Sequence, residues 1–316
     1  MKKILVTASR YSELCSPAKK LLEENGFQIE ENTTGKRYSA TELMRLVPNY
    51  DAAIVGMDDW NAEVIKQAKK MKIITKFGVG YDNIDIDAAR ESHIMVTYAR
   101  GQNAISVAEL ALSLLLTTMK NIPTFNNHVK KGIWDRDLQY ELQGKTVGLY
   151  GFGNISQAFA KMLSGFDVQL IACDKFFNEE IAAKLNVKQV SAEYLLGNSD
   201  VLSLHVPGSK ENTHMIGYQE LQKMKKGNVL INTSRGNLID LSALKDSLDN
   251  GDLLGAGLDC YEVEPVETPL PLFKHERVVC TPHCGGKTYE AYQRISMSTA
   301  ENIIDAFNNK KPKNLL

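Results

Sequence analysis

Short apolar runs alternate with helical patterns along almost the whole chain, and this alternation constrains the fold more than any other feature. A first series has apolar runs typical of buried strands at 3–7, 27–30, 52–55 and 72–76. A second series begins near residue 144, with runs at 145–151, 168–174, 201–207, 228–234, 253–259 and 277–280. Strands that alternate with helices pair in parallel, with helices on both faces of the sheet. We therefore expect an α/β protein with two doubly wound parallel sheets.

Helix signals support this interpretation. Ser39 and Glu42 have the spacing of a capping box, and Asp240 is a predicted N-cap. Ser16 is a further predicted N-cap, with Pro17 at the first helical position. A helix over roughly 103–120 and the segment after Pro282 are the two expected connections between the domains.

Composition excludes several classes of protein. The chain has 316 residues, enough for two domains, and its net charge of −1 offers no basic face for nucleic acid. Its longest apolar helical run, 108–116, is roughly half a membrane span. Five cysteines, an odd number and mostly far apart, predict free thiols in a reducing cytoplasm. We therefore expect a cytoplasmic protein, with neither nucleic acid nor membrane as partner.

A glycine loop lies between the first strand and helix of the second series. Gly151 and Gly153 have the spacing of a dinucleotide-binding turn, and Asp174 ends the next strand. In such a unit the glycines allow a pyrophosphate to approach the helix N-terminus, and the acid accepts from ribose hydroxyls. The third glycine position is Ser156, for which we expect a small shift in packing. Because Asp174 would repel a 2′-phosphate, NAD is the expected cofactor.

Three later stretches place an arginine, a glutamate and a histidine after successive predicted strands. Arg235 can hold a carboxylate bidentately, and His283 can transfer a proton near neutral pH. Glu264, if bonded to the histidine, favours its protonated form and fixes its tautomer. Each residue alone is typical of an ordinary loop position. Together, beside a nicotinamide, they suit the reduction of a 2-keto acid.

The order of these motifs resembles that of a known family. "KFGVGYDNID" (76–85), "SVAELALSLLL" (106–116), "LHVPGSKENTHMIG", "INTSRGNLID", "GLDCYEVEP" and "TPHCGG" follow one another as in the NAD-dependent D-isomer-specific 2-hydroxyacid dehydrogenases. The resemblance covers nearly the whole chain. It implies an NAD-dependent oxidoreductase that acts on the CH–OH group of 2-hydroxy acids and is a homodimer.

The family pattern also implies a domain division and residue roles. A Rossmann-like NAD-binding domain over 101–282 is expected to be inserted in a substrate domain formed by 1–100 and 283–316. Arg235 is the expected substrate clamp, Glu264 the orienting acid and His283 the acid/base catalyst. The backbone of Gly78, Val79 and Gly80 is expected to receive the substrate carboxylate. The expected cofactor-binding residues are Gly151, Gly153, Asn154, Ile155, Asp174, His205, Val206, Pro207, Thr233 and Asp259, the last near the nicotinamide carboxamide.

The substrate is less sharply predicted. Lys76 and Arg100 are candidate cations for a distal anion, which favours 3-phosphoglycerate; otherwise Lys76 ends a strand in solvent and Arg100 pairs with a surface acid. A glyoxylate, hydroxypyruvate or D-lactate type of reductase is an open alternative. So is a non-enzymatic, NADH-sensing corepressor. The pair of Glu264 with His283 argues against a formate dehydrogenase, whose substrate needs no proton transfer.

The cysteines near the histidine raise the question of a metal. Cys280 and Cys284 flank His283 but have no partner pair elsewhere, and Cys260 is the only other nearby candidate, so no metal is predicted. Cys280 is expected to be a small core residue. Cys284 stands at a commonly aliphatic position of the family and is left open as a reactive thiol.

Overall fold

The structure is a computed structural model that describes all 316 residues. The chain forms two compact units. The first consists of Met1–Asn103 and Gly286–Leu316, and the second of Ala104–Gly285.

The first unit contains a five-stranded parallel sheet. Its strands are β1 (Lys2–Val6), β2 (Phe27–Glu31), β3 (Ala52–Val55), β4 (Ile73–Lys76) and β5 (Met95–Tyr98), in the order β2-β1-β3-β4-β5. Its helices are α1 (Tyr11–Leu14), α2 (Ser16–Glu24), α3 (Ala40–Leu46), α4 (Ala62–Gln67), α5 (Ile86–Glu91) and α13 (Tyr289–Phe307). Strands β3 and β4 are buried along their whole length, as expected where helices cover both faces.

Local capping explains where several helices of this unit begin. Ser39 and Glu42 form the predicted capping box of α3, and Asp85 accepts from the N–H of Ala88 at the start of α5. The predicted cap at Ser16 is wrong by one residue. Ser16 is already helical and the N-cap is Cys15, whose side chain makes no capping hydrogen bond.

Helix α13 packs against α2, β4 and β5, so the last segment of the chain completes the core of the first unit. Edge-to-face aromatic contacts stabilise this packing. The ring centroids of Phe27 and Phe307 lie 5.2 Å apart, and those of Phe77 and Tyr292 lie 5.1 Å apart.

The second unit contains a seven-stranded parallel sheet. Its strands are β6 (Thr146–Tyr150), β7 (Gln169–Cys173), β8 (Val187–Gln189), β9 (Val201–Leu204), β10 (Asn228–Asn232), β11 (Leu253–Leu258) and β12 (Val278–Cys280). Its helices are α6 (Ala104–Met119), α7 (Ile122–Lys130), α8 (Asn154–Leu163), α9 (Glu179–Leu185), α10 (Ala192–Asn198), α11 (Tyr218–Lys223) and α12 (Leu241–Asp249). The strand order β12-β11-β10-β9-β6-β7-β8 reverses between β6 and β9. This is the doubly wound order in which ligands bind at the reversal point.

Helix α6 packs on β10, β11 and α8. Gly257 allows this close approach, because a Cβ there would lie 2.9 Å from the Cβ of Leu114. Helix α7, by contrast, buries none of its residues. No single helix is long and apolar enough to cross a membrane; α6 and α7 pass that test only as a pair, and they are bent by 61°.

Candidate active site

The sequence-predicted arginine, glutamate and histidine follow three neighbouring strands of the second sheet. Arg235 lies after β10, Glu264 after β11 and His283 after β12. Because these strands are parallel and adjacent, their carboxyl ends meet at one edge of the sheet. Topology therefore brings together residues that are far apart in sequence.

Glu264 and His283 are directly bonded. The Nδ1 of His283 lies 2.6 Å from Oε2 of Glu264, and Oε1 accepts from the N–H of Tyr261 at 2.9 Å. An ionised carboxylate can only accept, so Nδ1 carries a proton and Nε2 is the nitrogen left for another partner. His283 has a φ of 50°, a left-handed conformation that is uncommon for a residue with a side chain.

The charge of Glu264 is stabilised by its surroundings. Burial alone raises the pKa of this carboxyl. The hydrogen bonds from His283 and Tyr261 and the charges of His283 and Arg235 outweigh burial, so the pKa of Glu264 lies below its ordinary value. The carboxylate is therefore ionised at neutral pH and available to stabilise a positive imidazole.

Asp259 fixes the loop that carries the histidine. This residue is 1% exposed, and its Oδ1 accepts from Thr281 Oγ1 at 2.6 Å and from the N–H of Cys284 at 2.9 Å. Its Oδ2 accepts from the N–H of Gly285 at 2.9 Å. These bonds tie the backbone on both sides of His283 to one buried carboxylate. The sequence predicted Asp259 only as a cofactor ligand.

The loop of Arg235 is held close to the turn of Glu264. The carbonyl of Arg235 accepts from the side-chain amide of buried Asn232 at 2.8 Å. The guanidinium Nη1 of Arg235 donates to the carbonyl of Ser234 at 2.7 Å. Gly236 is required here, because a Cβ would lie 1.9 Å from the carbonyl carbon of Tyr261. The turn after β10 therefore lies directly on the turn after β11.

The glycine loop lies at the reversal point of the sheet. Gly151 has a φ of 98°, and a Cβ there would lie 2.5 Å from the carbonyl oxygen of His205. Gly153 is the N-cap of α8, without a capping side chain, and a Cβ there would meet no atom within 4 Å. The first glycine is therefore needed by the backbone. The second leaves the N–H groups at the start of α8 accessible, which fits a pyrophosphate.

Asp174, the predicted ribose ligand, also stabilises this loop. Its Oδ2 accepts from the N–H of Phe152 at 2.5 Å and its Oδ1 from the N–H of Phe176 at 2.6 Å. A carboxylate has about four lone-pair sites, so acceptor capacity remains for ribose hydroxyls. Thr233, predicted as a cofactor ligand, is buried with its hydroxyl unpartnered. These features fit NAD.

His205 and Ser156 each carry a buried polar atom without a partner. The Nε2 of His205 lies 3.0 Å from the hydroxyl of Ser203, and its Nδ1 is buried without a partner. Burial lowers the pKa of His205 to about 3, so the ring is neutral. The hydroxyl of Ser156 is fully buried and also unpartnered. We find no contact of this hydroxyl that explains a serine at the third glycine position.

The predicted carboxylate loop of the first unit follows β4. Lys76 is 3% exposed, and its ammonium donates to the carbonyl of Gly56 and, at 2.7 Å, to the amide oxygen of Asn83. The amide nitrogen of Asn83 donates to the carbonyl of Asp58 at 2.5 Å. The carbonyl of Gly78 accepts from the N–H of Ala99 at 2.9 Å. The loop containing Gly78, Val79 and Gly80 is thus anchored at its base.

Three side chains at this end of the first sheet are polar or aromatic. Arg100 is exposed, and the rings of Tyr81 and Tyr98 meet edge to face at 5.3 Å. Sequence reasoning missed Asn83 and Tyr81. Their positions directly after the Gly-Val-Gly stretch were the available signal.

The position of Cys280 differs from the predicted one. Cys280 is exposed on the edge strand β12, so its assignment to the core is wrong. Cys260 is buried, and one ligand atom from each of Cys260, Glu264 and His283 lies within 4.8 Å of the others. This group could hold a metal ion, whereas the cysteine spacing predicted none.

Comparison with known proteins agrees with this geometry. The family model "D-isomer specific 2-hydroxyacid dehydrogenase, NAD binding domain" matches residues 112–285. The chain is 39% identical to a glyoxylate reductase of Thermococcus litoralis, over 93% of this chain and 91% of that protein. It is 40% identical to a D-3-phosphoglycerate dehydrogenase of Archaeoglobus fulgidus over 90% of this chain, but spans only 54% of that longer protein.

The fold is likewise shared with solved structures. The TT0316 protein from Thermus thermophilus superposes with a TM-score of 0.90 at 32% sequence identity, covering 99% of both chains. The predicted fold class, two Rossmann-like parallel-sheet domains, is confirmed, and so is NAD as the cofactor. The chain belongs to the D-isomer specific 2-hydroxyacid dehydrogenases, oxidoreductases that act with NAD on the CH–OH group of 2-hydroxy acids.

Proposed function

We propose that this protein reversibly interconverts a short 2-keto acid and its D-2-hydroxy acid with NAD(H), using Arg235, Glu264 and His283. The observation that carries the proposal is the hydrogen bond between Glu264 and His283 at the edge of the nucleotide-binding sheet. When bound, the nicotinamide supplies or accepts the hydride. Arg235 orients the substrate carboxylate and carbonyl, and Nε2 of His283 donates the proton to the carbonyl oxygen.

We assign the cofactor to the second unit and the substrate carboxylate to the backbone N–H groups of Gly78, Val79 and Gly80 in the first. The anchored base of that loop supports this assignment, because a carboxylate needs donors held in fixed positions. Lys76 is buried and bonded to the protein, which favours its role as an anchor over direct contact with a distal anion. Arg100 is then the cation left for such an anion.

Two substrate classes remain in the proposal. The near-complete overlap with a glyoxylate reductase favours a small, uncharged substituent on the keto acid. The exposed Arg100 favours 3-phosphoglycerate as the second candidate. Arg100→Ala should raise KM for the phosphorylated substrate much more than KM for glyoxylate. Equal effects on both would remove 3-phosphoglycerate from consideration.

The deciding experiment is a panel of 2-keto acids with purified protein and NADH. NADH oxidation should show turnover, and chiral analysis of the products from pyruvate and hydroxypyruvate should show the D-2-hydroxy acid; glycolate, the product from glyoxylate, is achiral. Absence of turnover with every acid, despite NADH binding, would favour the alternative, a corepressor that senses NADH. Because the panel includes glyoxylate, hydroxypyruvate, pyruvate and the phosphorylated acid, it also identifies the substrate.

We further propose that the protein is a cytoplasmic homodimer. Its five cysteines are all free thiols, which suits a reducing compartment.

The proposed dimer interface lies on the exposed stretch after helix α7, where Trp134 and Leu138 are 81% and 84% exposed. The same stretch carries Lys131 and Asp135, so it has charges of both signs, which suits pairing with a second copy of the chain. Trp134→Glu with Leu138→Glu should yield monomers in light scattering, whereas an unchanged oligomeric state would refute this interface.

A further inference from the structure

Three side chains of different chemistry meet at the edge of the second sheet. Cys260 lies directly after Asp259 at the end of β11, and Glu264 and His283 form the pair described above. One ligand atom from each lies within 4.8 Å of the other two. A thiol, a carboxylate and an imidazole form a donor set that suits a borderline-soft cation such as Zn²⁺ and not Mg²⁺.

We propose that Cys260, Glu264 and His283 form a binding site for Zn²⁺, and that Zn²⁺ bound there inhibits the protein. Binding itself does not depend on the proposed function; only the inhibition rests on His283 being the proton donor. In a tetrahedral zinc site the ligand atoms are roughly 3.3–3.6 Å apart. The ligand atoms lie within 4.8 Å of one another, so zinc binding requires side-chain movement to this spacing, and the 2.6 Å bond between Glu264 and His283 must lengthen.

The proton balance is defined. The Sγ–H of Cys260 donates to the carbonyl of Ser234 at 3.3 Å, and burial together with the charges of Asp259 and Glu264 raises the pKa of this thiol. Without a cation the thiol therefore stays neutral and unreactive. Zn²⁺ replaces the thiol proton, which leaves to solvent, and the neutral imidazole of His283 ligates through Nδ1 after its proton has moved to Nε2.

The exposure of the three side chains indicates how a Zn²⁺ ion would reach the site. The side chain of His283 is 36% exposed and that of Glu264 20% exposed, whereas Cys260 is 2% exposed. An ion thus enters past the histidine and meets the thiol behind it. Once bound, it removes the carboxylate from the imidazole, which then no longer holds the orientation needed for proton transfer.

The site is tested with Co²⁺ and Zn²⁺ on the whole protein, without substrate. Co²⁺ should produce a near-ultraviolet thiolate-to-metal charge-transfer band, which Zn²⁺ abolishes by displacement. Cys260→Val should lose the band and weaken Zn²⁺ binding at least about tenfold. Cys260→Ser, which keeps the side-chain size, should lose the band as well and covers the case in which the valine variant does not fold.

Cys280→Val and Cys284→Val are the matched controls, because both remove a thiol near His283 without touching the donor set. Both should retain the band. A band that survives in both Cys260 variants, or that disappears in a control, would overturn the site. In the turnover assay Zn²⁺ should inhibit reversibly with chelator, and Mg²⁺ should not. Binding at Cys260 without any effect on turnover would refute the inhibition alone, while absence of turnover without metal would instead refute the proposed function.

Discussion

Glu264 accepts a hydrogen bond from Nδ1 of His283 at 2.6 Å, across 19 residues of sequence. The two residues lie after neighbouring parallel strands, so the sheet itself sets their distance. This bond fixes which histidine nitrogen carries its proton toward the protein and which is left for a substrate. The predictions below depend on that arrangement and on the loops that hold it.

Glu264→Gln should keep a hydrogen-bond acceptor for His283 but remove the negative charge. Because that charge stabilises the imidazolium, the alkaline limb of the pH profile for keto-acid reduction should move to lower pH. We expect kcat/KM at pH 7 to fall about tenfold or more. Steady-state reduction across a pH series checks this. A variant with lower activity but an unshifted profile would mean that the carboxylate acts only as a structural support.

Asp259→Asn should destabilise the loop of His283. Three donors face the carboxylate, and an amide offers only one acceptor oxygen, so at least one buried donor is left facing an N–H group. We expect the free energy of unfolding to fall by about 1–3 kcal/mol, and kcat to fall with it. Urea unfolding measures the first. Asp246→Asn, on the exposed face of α12, is the control and should change little; an equally small effect at Asp259 would contradict the account.

The two glycines of the cofactor loop should respond differently to alanine. Gly151→Ala introduces a Cβ 2.5 Å from a carbonyl oxygen at positive φ, so both stability and NADH binding should suffer. Gly153→Ala meets no protein atom and should leave thermal stability nearly unchanged. Its Cβ nevertheless obstructs the approach to the N-terminus of α8, so NADH should bind about tenfold more weakly. NADH affinity is measured by fluorescence titration. An unchanged affinity of Gly153→Ala would mean that the pyrophosphate does not bind at the N-terminus of α8.

His205 should make stability depend on pH. Burial lowers its pKa from 6.5 to about 3, so between these values the unfolded chain binds the additional proton. Stability from this residue is complete above pH 6.5 and falls as pH decreases toward 3, by up to about 1.4 kcal/mol per pH unit. When the pH is lowered from 7 to 5, the free energy of unfolding of His205→Gln, measured with urea, should therefore fall by about 2 kcal/mol less than that of the wild type. The exposed His93→Gln should follow the wild type; parallel slopes for all three proteins would show that His205 is not the cause.

Much of the fold was predictable because its signals are local. Apolar runs located the strands around Arg235, Glu264 and His283, and strand-end placement then predicted that these residues would meet. The hydrogen bond between Glu264 and His283 agrees with the hypothesis drawn from their chemistry.

The missed features depend on contacts that leave no local pattern. Asp259 accepts three bonds from a loop more than twenty residues further along the chain, and no spacing rule announces such a partner. Lys76 was expected to bind a distal substrate anion or to end its strand in solvent, yet its ammonium donates to Asn83 and to the carbonyl of Gly56. Cys260 was the only further cysteine considered as a metal ligand, but only the folded turn shows its proximity to Glu264 and His283.

The central claim, that His283 transfers the proton, is tested most directly by His283→Asn in stopped-flow reduction with NADH and the best acid of the panel. The variant should bind NADH as the wild type does, because His283 is not among the expected cofactor-binding residues. Its rate of NADH oxidation should fall about 10²–10⁴-fold. A rate close to that of the wild type, at unchanged NADH affinity, would contradict the proposed role of His283.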